Sequence, residues 1–432
     1  MSATSVQTLP NGLRIVAVHM PHLHSAELAL YIKVGGRNAP PGKEGLAHFV
    51  EHMLFRGTAD YPTSTDIERA FEEIGGAVNA STDEECTCFF SRIHPEHLGK
   101  ALEILSSMIL RPLLSGIDTE KKIITEEALD DLNENGEETN PHNLAGRLLW
   151  PDHPLGEPTI GTLQSIASFT DDDIRNYIAS FYLPANAVLA VAGNFNRQEL
   201  AAVADPCFKS WQGGVTPPVQ HPVERQLAPQ STFFPDPDSQ AHLHISFRGF
   251  ARNDERIMAL RFLHRILCGS GSARLNLTLR EQLGIVYSVD ANIAAYEETG
   301  CFSIEMSTAA ENLVTAVAET LDELFRLTRR GVTQDELERV RKSYFYELEY
   351  SRDSCVEMQI RYGWGELMGI VRDLDDDIHQ ATAITTADLQ EVASLLFSPH
   401  NLNLVVVGSW SEQEKRGVLD RIEKYTTGWR VA

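Results

Sequence analysis

The chain is short of cations. It carries 37 Lys and Arg against 61 Asp and Glu, a formal net charge of −24. A surface so poor in positive charge has no basic patch with which to neutralise phosphates, so nucleic acid is not an expected partner. The same deficit removes electrostatic attraction to anionic membranes. Long apolar runs are also missing. None approaches the roughly 18 residues that a spanning helix needs, so no membrane span is expected. Cysteine is sparse and scattered, at Cys86, Cys88, Cys207, Cys268, Cys301 and Cys355. That pattern suggests no disulfide framework and reads as reduced thiols in a reducing compartment. The opening MSATSVQTLPNGLRIV has no basic segment followed by an apolar core, and it is not an Arg-rich amphipathic presequence. The expectation is therefore a cytoplasmic, bacterial protein. The acidic excess fits plain solubility, and it is also compatible with an acidic cavity that draws in basic or neutral peptides.

What is present begins with a duplication. The 432 residues, 43% of them hydrophobic, exceed one ordinary core. Asp172–Gly193 and Ala387–Gly408 match at an offset of 215 residues, pairing Asp173 with Asp388, Pro184 with Pro399, Asn186 with Asn401 and Gly193 with Gly408. Each copy reads as a helix, a Pro-marked turn and a buried strand. The offset also pairs Gly116 with Gly331, and the alternating runs Glu27–Val34 and His242–Phe247 read as equivalent strands. The predicted fold class is α+β: two homologous α/β domains, each a mostly antiparallel sheet packed with helices. The expected division is 1–212, a Pro/Gly-rich linker at 213–228, and 229–432.

The most informative string is H-F-V-E-H at His48–His52. On a helix His48, Glu51 and His52 share one face. Leu46, Phe49, Val50, Met53 and Leu54 form the apolar stripe that buries the same helix. Two neutral imidazoles suit Zn²⁺, and a carboxylate beside them suits a general base, in the inverted order of the H-E-x-x-H motif. A third ligand is needed. In T-E-K-K-I-I-T-E-E-A-L-D, Glu120 and Glu127 lie two helical turns apart on one face, with Ile123 and Ile124 expected to anchor that helix in the core. Glu126 is the rival ligand, rotated about 100° from Glu127. At the duplication offset His48, Glu51 and His52 become Leu263, Ile266 and Leu267, and Glu127 becomes Lys342. The second copy thus lacks the metal site, and His264 within it reads as structural.

These strings resemble the pitrilysin family of inverzincin metallopeptidases, and in particular its short-chain branch, which includes the mitochondrial processing peptidase and bacterial homologues. The resemblance rests on L-P-N-G-L-R-I-V, H-F-V-E-H-M-L-F-R-G-T, G-G-A-V-N-A-S-T, E-K-K-I-I-T-E-E, H-P-L-G-E-P-T-I-G-T and L-R-E-Q-L-G-I-V-Y-S-V. It implies a zinc-dependent endopeptidase with one Zn²⁺ per chain, held by His48, His52 and Glu127. Glu51 is then the base and Glu120 a supporting carboxylate. It further implies that Arg280 and Tyr287 bind the scissile peptide and steady the developing oxyanion. Without the resemblance, Arg280 pairing with Glu281 and Tyr287 packing in the core would be the preferred reading. Asn79 and Ala80 are implied to lie on an edge strand that pairs with peptide substrate. The family implies a homodimer enclosing a chamber, with Arg280 and Tyr287 acting across the interface on oligopeptides or unfolded segments. The alternatives are the catalytic subunit of a heterodimeric peptidase dedicated to one precursor peptide, or a non-catalytic core or scaffold subunit.

Overall fold

The alternating and β-branched runs become two sheets whose strands recur at the duplication offset. The computed structural model describes residues 4–223, 226–237 and 240–431. The first sheet contains β1 (Thr4–Thr8), β2 (Arg14–His19), β3 (Ala26–Ile32), β4 (Val78–Thr82), β5 (Thr87–Ile93) and β6 (Ala187–Gly193) in the order β1-β2-β6-β3-β5-β4. The second contains β7 (Gln230–Pro235), β8 (Ala241–Arg248), β9 (Val289–Ala295), β10 (Gly300–Thr308) and β11 (Leu402–Gly408) in the order β7-β11-β8-β10-β9. Among the described strand pairs, only β2–β6 and β7–β11 are parallel. The register repeats as well. Ile32 faces Ala187 in the first sheet, and Phe247 faces Leu402 in the second.

The helices that bear on the site are α1 (Leu46–Leu54), α2 (Ile117–Leu129), α3 (Pro141–Leu149), α4 (Asp171–Phe181), α5 (Ile257–Leu267), α6 (Cys355–Gln359) and α7 (Thr386–Leu396). The landmarks shared by the two copies have the same physical jobs in each. Thr170 and Asp173 form the capping box that opens α4, and Thr385 and Asp388 do so for α7. Asn186 Nδ2 donates to the carbonyls of Lys33 and Phe181, while Asn401 Nδ2 donates to those of Arg248 and Leu396. Each Asn, placed just ahead of β6 or β11, therefore ties a helix end to the end of the neighbouring strand, β3 or β8.

Two compact units result, and they interleave the chain. One comprises 1–130, 157–220 and 347–373; the other comprises 131–156, 221–346 and 374–432. They differ from the contiguous division at 213–228 by two exchanged segments. The reason is packing. In the first unit the 347–373 segment lies on the first sheet: Tyr31 Oη donates to Gln359 Oε1 at 3.1 Å, and Arg14 Nη1 donates to the Glu366 carbonyl at 2.9 Å. Gly363 sits so close to β6 that a Cβ there would lie 2.4 Å from the Ala190 Cβ. In the second unit α3 covers β8 and β11, burying Ala145 with Val405 and Val407. Arg248 Nε donates to the Leu149 carbonyl at 2.8 Å.

Among the described residues, no helix is long and apolar enough to cross a membrane. All six cysteines are free.

Candidate metal centre

The metal helix is set by its own sequence. Gly45 precedes α1 at φ +87°, and a Cβ there would lie 2.2 Å from the Ile160 carbonyl oxygen, so only glycine fits that start. Leu46, Phe49, Val50, Met53 and Leu54 are all buried, each worth roughly 1.5–3 kcal/mol relative to exposure. With that stripe fixed, His48 and His52 emerge on the remaining face, their rings 4.5 Å apart between centroids. Helix α2 brings the third group. Gly116 (φ +83°) starts it, and Asp118 and Glu120 in the first turn complement the helix dipole.

The ring nitrogens converge on one carboxylate. His48 Nε2 lies 3.7 Å from Glu127 Oε1, and His52 Nε2 lies 3.8 Å from Glu127 Oε2. Both distances are too long for hydrogen bonds. They are near the ligand–ligand edge of a tetrahedral zinc site, about 3.3–3.6 Å for bonds of roughly 2.0–2.2 Å. The donor set and spacing therefore fit a single Zn²⁺. Glu127 is half-exposed, so one side of the site stays open, as a catalytic zinc requires. Glu126 is exposed and is not part of this cluster.

Glu120 fixes the tautomer of His52. His52 Nδ1 lies 2.8 Å from Glu120 Oε1, and a carboxylate can only accept, so the proton sits on Nδ1 and Nε2 is left for the metal. Arg56 Nε stands 3.4 Å from the other Glu120 oxygen. Burial pulls the His52 pKa down, but the Glu120 bond and charge, with Glu51 and Glu127, outweigh it and leave it raised. Burial, reinforced by His52, pushes His48 down to about 4, so it is neutral and ready to ligate at neutral pH. His48 Nδ1 is buried without a hydrogen-bond partner.

Glu51 is buried beside the two imidazoles, and its Oε2 accepts from Thr82 Oγ1 at 2.5 Å. Burial raises its pKa, opposed by the Thr82 bond and His52, and this suits a carboxylate that must take a proton. Thr82 ends β4, the edge strand of the first sheet. Asn79 and Ala80 lie on that strand, Asn79 exposed and Ala80 half-buried against the core. Thr82 and Arg56 were not singled out by sequence reasoning. Thr82 was within reach, because it shares Ala80's face by the two-residue period of a strand. Arg56 carried only the signal of its place in F-R-G-T.

Two expectations need correction or completion. Ile124 is fully buried, but Ile123 is 46% exposed. The expected anchor is thus Ile124 alone: α2 turns a narrow face to the core, and Ile123, about 100° round the helix, falls outside it. Arg280 and Tyr287 belong to the second unit. Arg280 lies in a π-helical turn, Asn276–Gln282, a form common at functional sites. Tyr287 is 88% exposed, so it does not pack in the core. The Arg280 guanidinium stands 5.9 Å from the Tyr287 ring centroid and 3.6 Å from Glu281 Oε1. In α5, Leu263, Ile266 and Leu267 are buried core residues, and His264 Nε2 bonds the Ala291 carbonyl at 2.7 Å.

Comparison with known proteins agrees with this organisation. Residues 14–163 match the family model "Insulinase (Peptidase family M16)", and residues 168–344 match "Peptidase M16 inactive domain". A Bacillus subtilis protein named uncharacterized zinc protease YmxG is 32% identical over 400 residues, covering 90% of this chain and 95% of its own. An uncharacterized zinc protease of Rickettsia bellii is 30% identical, covering 93% and 97%. Among solved structures, a protease from Helicobacter pylori superposes with a TM-score of 0.87 at 20% identity, covering 94% of this chain and 99% of that one. A peptidase M16 inactive domain from Pseudomonas fluorescens superposes with a TM-score of 0.83 at 22% identity, covering 94% and 98%. The structures speak for the fold; the near-complete sequence matches establish that this chain belongs to the pitrilysin (M16) family.

Proposed function

We propose that this chain is a zinc-dependent endopeptidase acting on oligopeptides or unfolded peptide segments. The observation that carries the reading is the convergence of His48 Nε2 and His52 Nε2 on Glu127, with the buried Glu51 alongside. Relatives that share most of their length with this chain are named zinc proteases, which supports the same metal and the same reaction class. Zn²⁺ bound by His48, His52 and Glu127, one ion at this site in each chain, supplies Lewis acidity for polarising a peptide carbonyl and acidifying a water. The chain's own residues do the rest. Thr82 occupies Glu51 Oε2, leaving Oε1 to take the proton from the attacking water and pass it to the leaving amine. Glu120 holds His52 in the ligating tautomer. The unpaired edge of β4, at Asn79 and Ala80, offers backbone groups to an extended peptide, giving affinity with little sequence preference.

Arg280 and Tyr287 complete the site from a second copy in a homodimeric chamber, donating to the oxygen that gains charge. Their exposure supports this role, since a guanidinium and a phenol that must reach a substrate cannot be buried in their own unit. A closed chamber excludes folded proteins, and the working location is the bacterial cytoplasm. The arrangement is tested by mixing Arg280→Ala chains with Glu51→Gln chains. If the pair acts across the interface, mixed dimers regain one intact site and activity reappears. Mixed dimers that stay inactive, while each wild-type control is active, would remove Arg280 from that role.

A further inference from the structure

Outside this centre, one cluster of metal-binding side chains among the described residues remains without a role. His142, on the first turn of α3, His244 on β8 and Glu305 on β10 present ligand atoms that all lie within 4.8 Å of one another. All three belong to the second unit. His244 and Glu305 are direct cross-strand partners, so their side chains leave the same face of the sheet. That face is the one covered by α3, where Val405, opposite His244, is buried with Ala145.

His244 is the telling residue. It is 2% exposed, yet neither ring nitrogen has a hydrogen-bond partner. A neutral imidazole must carry a proton on one of them, and leaving a buried donor unpaired costs roughly 1–3 kcal/mol. A simple buried ion pair with Glu305 does not account for the geometry. His244 Nε2 lies 3.4 Å from Glu305 Oε1, whereas a charge-assisted bond closes to about 2.7–2.9 Å. The observed separation is instead the edge expected between two ligands of one tetrahedral ion, about 3.3–3.6 Å. Asn292 Nδ2 and Ser303 Oγ both donate to Glu305 Oε1, fixing its position as outer partners fix a ligating carboxylate. His142 is equally well placed. Asn140 caps α3 by accepting from the His142 backbone N–H, and Asp131 accepts from the side chains of both Asn140 and Asn143. The His142 side chain is exposed, which leaves an entry path for an ion.

We propose that His142, His244 and Glu305 form a second divalent-metal site, of the Zn²⁺-binding His₂Glu type, that pins the start of α3 to the sheet of the second unit. The site is distinct from the position equivalent to the metal helix, which α5 fills with core residues. Its role is structural: α3 comes from the 131–156 segment of the first copy, and the ion fastens that segment to strands of the second.

The test is metal stoichiometry, with Zn²⁺ alone as the probe. The full chain is stripped with a chelator, retitrated with Zn²⁺, and assayed for bound metal by mass spectrometry after gel filtration. Wild type should hold two equivalents. His48→Ala/His52→Ala should keep one, and adding His142→Ala should remove it. His142→Ala alone should weaken one of the two equivalents by more than the roughly 10–100-fold that losing a mere outer partner costs. Because His142 is exposed, its loss should leave the fold intact. Zn²⁺ should also raise the unfolding temperature of His48→Ala/His52→Ala and leave that of the triple variant unmoved. One equivalent in wild type and none in His48→Ala/His52→Ala would overturn the proposal, as would two in His142→Ala at unchanged affinity. None of these readouts depends on proteolysis.

Discussion

Replacing Glu120 by Gln isolates the electrostatic support of the zinc site proposed at His48, His52 and Glu127. Glu120 is 4% exposed, accepts from His52 Nδ1 at 2.8 Å and stands 3.4 Å from Arg56 Nε. Gln keeps the shape and one acceptor oxygen but removes the charge. A hydrogen bond to a charged group contributes about 1.5–3 kcal/mol, against about 0.5–1.5 for a neutral one, so the His52 bond loses about 1–1.5 kcal/mol. That is close to tenfold in Zn²⁺ affinity, the lower end of the 10–100-fold typical of such supporting partners. The buried position leaves little solvent screening to reduce it. The proton obeys the same logic. Glu120 raises the His52 pKa, so its loss also weakens the proton that competes with the metal. The affinity gap between wild type and Glu120→Gln should therefore be widest at alkaline pH and narrow as pH falls through the imidazole range. Competition titration against a chromophoric zinc chelator at several pH values measures both effects. Equal affinities at alkaline pH, or a gap that widens on acidification, would refute the reasoning.

Other consequences follow from the same centre. Thr82→Val removes the donor that lowers the Glu51 pKa, so the acid limb of the kcat/KM profile should move to higher pH while zinc content stays unchanged; an unmoved limb would show that the bond does not tune the base. In the metal-free chain, His48 titrates at about 4 when folded against 6.5 unfolded, so the unfolded state binds the extra proton between those values. Stability should then fall as pH drops through that window, by up to ~3 kcal/mol from this group, and denaturant midpoints of His48→Ala should lack that part of the slope.

Much of the fold was legible because its signals are local. The capping pairs at Thr170 and Thr385, the Asn residues at 186 and 401 and the strands beside them act within a few residues of one another, so one repeat offset carries topology and register together. Helix α1 was legible for the same reason, since its buried stripe and the face shared by His48, Glu51 and His52 follow one period. What was not legible depends on contacts distant in sequence. The exchange of the 131–156 and 347–373 segments is decided by which sheet face each can cover, and neither segment announces its partner. Ile123 reads as core until the orientation of α2 is fixed by Ile124 and by Glu120 reaching His52. His142, His244 and Glu305 come from a helix and two strands far apart in the chain, with no motif spacing between them, and His244 reads only as part of an alternating strand.

The central claim is that this chain performs metal-assisted peptide hydrolysis with Glu51 as its base. Its most direct test is cleavage of a mixed set of unstructured peptides by the zinc-loaded chain alone, beside Glu51→Gln loaded to the same metal content. The account predicts cleavage by wild type and a loss of roughly 10²–10⁴-fold in turnover in the variant, with zinc retained at His48, His52 and Glu127. Equal turnover by the two proteins would contradict it.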